Sequence, residues 1–232
     1  MDIRGKVVLV TGANRGLGKA FVTALLQAGA AKVYAGARDV ASVNIPGSTP
    51  IALDITDEAS VQRAAEQCSD VSVLINNAGA LKRGALLDAD SVENLQHHFD
   101  VNTLGTLRVT RAFAPVLAKH GGGALINIIS VLSWLSSPGA GGYSASKSAQ
   151  WGLTNGLRGE LREQQTLVIG VHPAYIDTDM TAGIEAPKST PQEVVALTLQ
   201  GLSEGREEVV ISDMGHAVKA SLSTERPIYL SR

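Results

Sequence analysis

Short runs of β-branched and aliphatic residues alternate along this chain with longer stretches whose apolar positions recur every three to four residues. Val7-Val8-Leu9-Val10 is too short for a helix and closes on Thr11-Gly12, which predicts a strand buried on both faces. From Gly16 to Ala28, Leu17, Phe21, Leu25 and Ala28 fall at helical spacing, and Gly29 supplies a C-cap. Further strands are predicted at Lys32–Ala37, Pro50–Leu53, Val71–Ile75, Ala124–Ser130, Leu167–His172 and Glu208–Ile211. Between them the pattern predicts a helix over Asp57–Cys68 with Thr56 as its cap, and a long one over Ser91–Lys119 that Pro115 is placed to kink. Two more follow at Tyr143–Glu163 and Pro191–Ser203, the latter with proline in its first turn. Strands alternating with helices imply right-handed βαβ units and a mostly parallel sheet covered on both faces, a doubly wound α/β fold. No linker, repeat or charge block breaks the pattern, so a single domain is expected over residues 1–232.

Composition narrows the possible partners. Hydrophobic residues are 44% and charged residues 18%, enough apolar material for a core. The formal charge of −2 gives no electrostatic reason to expect nucleic acid or an anionic membrane. The single cysteine, Cys68, forms no internal disulfide, and no stretch approaches the roughly 20 apolar residues of a membrane span. Met1 to Lys6 lack the apolar run of a signal peptide, so a cytoplasmic location is expected. Glycine supplies 24 of the 232 residues, above the average of about 7%. That excess favours a fold in which backbone closely approaches backbone or ligand.

The glycines cluster where chemistry is expected. The first strand runs into Thr11-Gly12-Ala13-Asn14-Arg15-Gly16-Leu17-Gly18 and then a helix. Such a loop lets backbone approach a pyrophosphate seated on the unpaired N–H groups of a helix N-terminus. Its spacing is G-x-x-x-G-x-G, which alone fits a ligand-free turn equally well. Asn76-Asn77-Ala78-Gly79 ends the fourth strand, Ser130 ends the fifth, and Tyr143-Ser144-Ala145-Ser146-Lys147 opens the next helix. Tyr143 and Lys147, at i and i+4, share one helix face. A lysine cation about 4–5 Å from the phenol, at an effective dielectric of ~20, would lower a tyrosine pKa by two to three units. That predicts a Tyr143 near 7–8, suited to proton transfer at neutral pH.

These segments together resemble the short-chain dehydrogenase/reductase family, in order and over most of the chain, from Lys6 to about Met180. The resemblance implies a Rossmann-type sheet, a cofactor half of about residues 1–130 and a catalytic and substrate half of about 131–232. It also implies hydride transfer between a nicotinamide cofactor and a small carbonyl or alcohol. Asn102, Ser130, Tyr143 and Lys147 match the family's catalytic tetrad, with Ser130 lying 13 residues before Tyr143. In that assignment Tyr143 donates a proton to the carbonyl oxygen, and Ser130 hydrogen-bonds the same oxygen. Lys147 binds the nicotinamide ribose and lowers the tyrosine pKa, while Asn102 holds a water in a proton relay. The cofactor contacts implied by the resemblance are Gly12, Asn14, Arg15, Gly16, Leu17 and Gly18 in the loop, the adenine pair Asp54 and Ile55, and Asn77, Ala78 and Gly79. Tyr143 and Lys147 join them, with Pro173, Ile176 and Thr178 at the nicotinamide end. There His172-Pro173-Ala174-Tyr175-Ile176-Asp177-Thr178 carries Ala174 in place of the family's usual glycine.

The end of the second strand bears on cofactor choice. Folds that prefer NAD place an acid there for the ribose 2′-hydroxyl, but Tyr34-Ala35-Gly36-Ala37-Arg38 has Ala37 at that position and Arg38 after it. Arg38 and Arg15 form two guanidinium forks suited to a 2′-phosphate, which predicts NADP(H); the plainer alternative is two surface charges. Trp134, Tyr175 and Met180 are expected in the substrate pocket. The leading expectation is an NADPH-dependent carbonyl reductase. A non-catalytic NADP(H)-binding redox sensor and an NADP-dependent alcohol dehydrogenase working oxidatively remain the alternatives. Ala145, Ala149, Gly152 and Gly156 on the Tyr143 helix would allow close packing between subunits, so a homodimer or homotetramer is expected.

Two other constellations carry less. Gly201-Leu202-Ser203-Glu204-Gly205 spells G-x-S-x-G but falls at a predicted helix end, not at a strand-to-helix turn. His97 and His98 are adjacent, point to different helix faces and lack a ligand partner, so no metal site is expected.

Overall fold

The computed structural model describes residues 1–230. Seven strands build one sheet: β1 Val7–Thr11, β2 Lys32–Ala37, β3 Thr49–Ala52, β4 Val73–Asn76, β5 Ala124–Ile128, β6 Leu167–His172 and β7 Glu208–Val210. Their order is β3-β2-β1-β4-β5-β6-β7, and every pairing is parallel. The chain winds outward from β1 in one direction and from β4 in the other. The C-terminal ends of β1 and β4 therefore meet at the point where strand order reverses, which is where ligands bind in open α/β sheets.

Alternation along the strands sorts side chains into two layers. Val8, Val10, Ile75, Ile126 and Ile169 face helices α1 (Gly16–Gln27) and α6 (Pro191–Ser203) through Phe21, Leu25, Val194 and Leu202. Leu9, Leu74, Leu125 and Val168 face the other way. There they meet α2 (Glu58–Gln67), α4 (Thr106–Lys119) and α5 (Gly141–Glu160) through Val61, Phe113 and Leu157. Burial on both faces explains why the strands read as unbroken apolar runs.

Three local features depart from the sequence pattern. The stretch expected as one helix over Ser91–Lys119 is α3 (Ser91–His98), a π-helical segment (Phe99–Gly105) and then α4, with Pro115 inside α4. Asp57, not Thr56, caps α2 by accepting from the Ala59 N–H at 3.0 Å. A further helix, α7 (Asp213–Ser221), follows β7 where none was expected. No helix among the described residues is long and apolar enough to cross a membrane.

Candidate active site

The glycine loop is built by close backbone contact. Gly12 and Gly16 have φ values of +63° and +52°, the left-handed region that glycine adopts without strain. A Cβ on Gly12 would stand 2.9 Å from the Ala78 Cα, and one on Gly18 would run into the Gly12 carbonyl oxygen. The loop is pinned to the end of β4 by Thr11, whose Oγ1 accepts from the N–H groups of Asn77 and Ala78, both at 3.0 Å. Asn77 returns the contact, donating its Nδ2 to the Thr11 and Gly12 carbonyls at 2.9 and 3.1 Å. Arg15 stands at the N-cap of α1 and supplies no capping hydrogen bond. The first-turn N–H groups of α1 thus lack a side-chain acceptor, as a helix start that receives a phosphate requires. The residues present fit a dinucleotide.

At the end of β2, Ala37 is buried and Arg38 is exposed along the cleft. Asp39 also lines the cleft, and its carboxylate accepts from the Ala41 N–H at 3.0 Å. Asn14 donates to Ser42 Oγ at 3.1 Å, tying the glycine loop to the turn after β2. Asp54 accepts from the Thr56 N–H at 2.9 Å and hydroxyl at 2.7 Å. Burial pushes its carboxyl up, but the Thr56 hydrogen bonds and the charge of Arg38 win and hold it below the usual range. Arg15 lines the same cleft as Arg38, with its Nη1 3.5 Å from the exposed Asp179 carboxylate.

Ser130, Tyr143 and Lys147 converge on the same cleft, of about 770 Å³. Ser130 leaves β5 as the N-cap of a short 3-10 turn, and its Oγ accepts from the Leu132 N–H at 3.0 Å. Tyr143 and Lys147 sit one turn apart at the start of α5, with the lysine Nζ 5.7 Å from the tyrosine ring centre. Asn102 stands behind the cleft wall and does not line it. Buried in the π-helical segment, its Oδ1 accepts from the Ala80 N–H at 2.8 Å, while its Nδ2 donates to the Ala80 carbonyl at 3.0 Å and Ser146 Oγ at 2.9 Å. The π-helical bulge turns Asn102 so that one side chain grips both backbone groups of Ala80, a site-linked use of such bulges.

Burial sets the charge states here and reverses one expectation. The Tyr143 phenol is pushed up to about 12 by burial, with a Ser130 hydrogen bond pulling the other way. Lys147 is pushed down to about 7, again by burial. The pair reasoning that places the tyrosine near 7–8 assumes a full cation beside it. Here a half-buried phenol and a buried amine each resist charge, and near neutral pH the lysine is only partly ionised.

Every loop, strand-end and turn residue expected to contact a cofactor lies along this cleft, from Gly12 and Leu17 through Ile55 and Gly79 to Pro173, Ile176 and Thr178. Tyr175 and Met180 line its open end. Trp134, expected beside them, does not. Its indole is buried, stacked on His172 at 4.1 Å between ring centres and 13° between planes, with Trp151 edge-on at 6.4 Å. A large ring after a strand end found a histidine to cover rather than a pocket to line. The open end is completed by Leu81, Arg83, Leu132, Ile184 and Met214. Met214 belongs to α7, so a residue of that helix was not a candidate. The segment after Thr178 is drawn in by a bridge between Ile176 and Ser189, with the Asp177 N–H donating to the Ser189 carbonyl at 2.9 Å. The G-x-S-x-G run lies at the end of α6 and beyond. No group of three metal-ligating side chains occurs among the described residues.

Comparison with known proteins places this geometry. The sequence profile described as short chain dehydrogenase matches residues 6–189. Short chain dehydrogenase tazN of Aspergillus terreus is 36% identical over 204 residues, a match covering 80% of this chain and 44% of that protein, so the chain spans under half of it. A 3-oxoacyl-[acyl-carrier-protein] reductase of Thermotoga maritima is 32% identical over 227 residues, 91% of each chain. The crystal structure of a short chain dehydrogenase from Burkholderia cenocepacia, in complex with NADP, superposes with a TM-score of 0.93 at 39% identity. It covers 97% of this chain and 96% of its own.

Proposed function

This chain belongs to the short-chain dehydrogenase/reductase family of NAD(P)-dependent oxidoreductases, and from that premise we propose that it reduces small ketones and aldehydes with NADPH. The observation that carries the cofactor choice is the end of β2, where a buried Ala37 replaces an acid and the Arg38 guanidinium lies free along the cleft. Arg38 and Arg15 would hold the 2′-phosphate, and the Burkholderia relative solved with NADP supports this reading. The Gly12–Gly18 loop and the open N–H groups of α1 would take the pyrophosphate. Asp54 and Ile55 would take the adenine, Asn77 to Gly79 with Tyr143 and Lys147 the nicotinamide-side ribose, and Pro173, Ile176 and Thr178 the nicotinamide end.

A nicotinamide held there would supply the hydride for the carbonyl carbon. The chain's own residues handle the oxygen. Tyr143 Oη donates its proton to that oxygen, and Ser130 Oγ hydrogen-bonds it as negative charge develops. Lys147 ammonium favours the phenolate left behind, and burial of the phenol keeps it protonated until the oxygen needs it. Asn102 acts from behind the wall, tying Ala80 to Ser146 near the start of α5. The lining by Leu81, Leu132, Tyr175, Met180 and Met214, with Arg83 beside them, suits a small, largely apolar substrate. Gly152 and Gly156 face open space on α5, and the assembly proposed is a homodimer or homotetramer packed there. Light scattering that gives a mass near the 24.1 kDa of one chain refutes it.

The test is kcat/KM for NADPH and for NADH with one shared ketone, found in a panel of ketones and aldehydes. Each charge-assisted hydrogen bond is worth roughly 1.5–3 kcal/mol, and 1.4 kcal/mol is tenfold. NADPH is expected to win by at least about 100-fold. Equal values, or a preference for NADH, overturn the proposal.

A further inference from the structure

Gln150 lies seven residues after Tyr143, on the face of α5 that carries Tyr143 and Lys147 inward. It is fully buried. An uncharged amide in that position is expensive unless every polar atom is used, since burying one without partners costs a few kcal/mol. Here both ends are used. Lys147 Nζ donates to Gln150 Oε1 at 2.7 Å, and Gln150 Nε2 donates to Thr106 Oγ1 at 2.9 Å. Thr106 in turn donates its hydroxyl to the Asn102 carbonyl at 2.9 Å. In its ammonium form Lys147 has only donors, so the amide oxygen faces it. Thr106, whose proton is committed to Asn102, is left to accept.

We propose that Gln150 is a positioning residue for the reaction, its side-chain oxygen anchoring the Lys147 ammonium and its nitrogen tying that anchor through Thr106 to the Asn102 backbone. The inference rests on the reading that Lys147 serves the chemistry. Two acceptors from the protein hold the ammonium, Gln150 Oε1 and the Ile128 carbonyl at 2.9 Å, which leaves one of its three N–H donors for the cleft. The seam continues below: Thr154 Oγ1 donates to the Gln150 carbonyl at 2.8 Å and accepts from Asn127 Nδ2 at 3.0 Å. Gln150 is therefore locked from both its backbone and its side chain. The geometry matters because burial drives Lys147 toward its neutral form, and a hydrogen-bond acceptor opposes that. The other titratable groups beside Lys147 are Tyr143 on its own helix and His172 at the end of β6, which burial keeps uncharged. No ion pair reaches Lys147 among the described residues.

The experiment is a pH titration of Lys147 in the intact, cofactor-free protein by NMR of 13Cε-labelled lysine, with Lys147→Met identifying its resonance. Gln150→Met, close in volume but without an acceptor, should lower the midpoint by about one unit, the scale of one hydrogen bond to a charge. Gln150→Glu, which sets a carboxylate beside the ammonium, should raise it. Opposite shifts at one position are not what simple damage to packing produces. Thr106→Val should lower the midpoint part of the way, and Thr106→Ser should restore it. In turnover, the acid limb of alcohol oxidation should move to higher pH in Gln150→Met, with kcat changing more than the cofactor KM. A Gln150→Met midpoint within about 0.3 units of wild type, or a Gln150→Glu midpoint that falls, overturns the proposal. Should Gln150→Met fail to fold, Gln150→Glu and Thr106→Val decide by the same criteria. The titration needs no substrate, so a chain that turns over no carbonyl sinks the reductase reading while the midpoint still judges the anchor.

Discussion

Acidification should strip stability from this protein through one buried ring. His172 ends β6 with no exposed surface, stacked on Trp134, and its Nδ1 lies 3.2 Å from both the Ser130 carbonyl and Ser133 Oγ. A carbonyl can only accept, so Nδ1 carries the proton, and Nε2 is a bare acceptor without a hydrogen-bond partner among the described residues. Glu208 Oε1 stands 3.6 Å from Nε2, beyond hydrogen-bond range, while its other oxygen, Oε2, meets Lys219. Burial therefore dominates, aided by the charges of Lys219, Arg158 and Lys147 against the pull of the Ser130 carbonyl, and brings His172 down to about 3. A depressed pKa of this kind gives stability that is complete above the unfolded value of 6.5 and is lost as pH falls toward 3. At 1.36 kcal/mol per unit, the loss between pH 7 and pH 4 integrates to about 3 kcal/mol. Urea unfolding of wild type and His172→Asn at both pH values, at fixed protein concentration, isolates the effect. Asn retains a donor for the Ser130 carbonyl and does not titrate, so its loss should be smaller than that of wild type by about 3 kcal/mol. Equal losses, within about 1 kcal/mol, would show that His172 does not titrate as argued.

Arg38→Ala should weaken NADPH about tenfold or more and leave NADH nearly unchanged, because only NADPH offers a phosphate to the guanidinium. The effect should shrink as salt rises, and equal losses for the two cofactors in a fluorescence titration contradict it. Gly18→Ala forces a methyl group into the Gly12 carbonyl and within 2.6 Å of Asn77 Nδ2. The loop must shift, which should lower stability by about 1–3 kcal/mol and cofactor affinity by at least tenfold; wild-type melting and binding refute it.

The sheet was legible because its central strands are buried on both faces and its helices on one, which writes short apolar runs against a period of three to four; the edge strand β3 is mostly exposed. Strand ends moved by a residue or two: Ser130 reads as strand yet caps a turn. The bulge at Phe99–Gly105 contains no proline and was not announced by the apolar pattern, since what holds it is tertiary, the grip of Asn102 on Ala80. Helix α7 is short, and although Ser212 caps it by accepting from the Gly215 N–H at 3.2 Å, that one signal before a nine-residue stretch was passed over. Tyr143 and Lys147 were visible from spacing, but their charge states were not. Pairwise Coulomb reasoning carries no burial, and burial is what pushes the two apart. Gln150 was passed over because a polar residue on a helix reads as surface until its partners are known.

The central claim is that Tyr143 is the proton donor of a nicotinamide-dependent carbonyl reduction. NADPH oxidation by Tyr143→Phe, beside wild type on the same ketone, tests it most directly. The ring and its packing survive the substitution and only the hydroxyl goes, so NADPH binding should stay close to wild type while turnover falls by ~10²–10⁴-fold. Residual turnover above about 10% of wild type, with the cofactor still bound, contradicts the account.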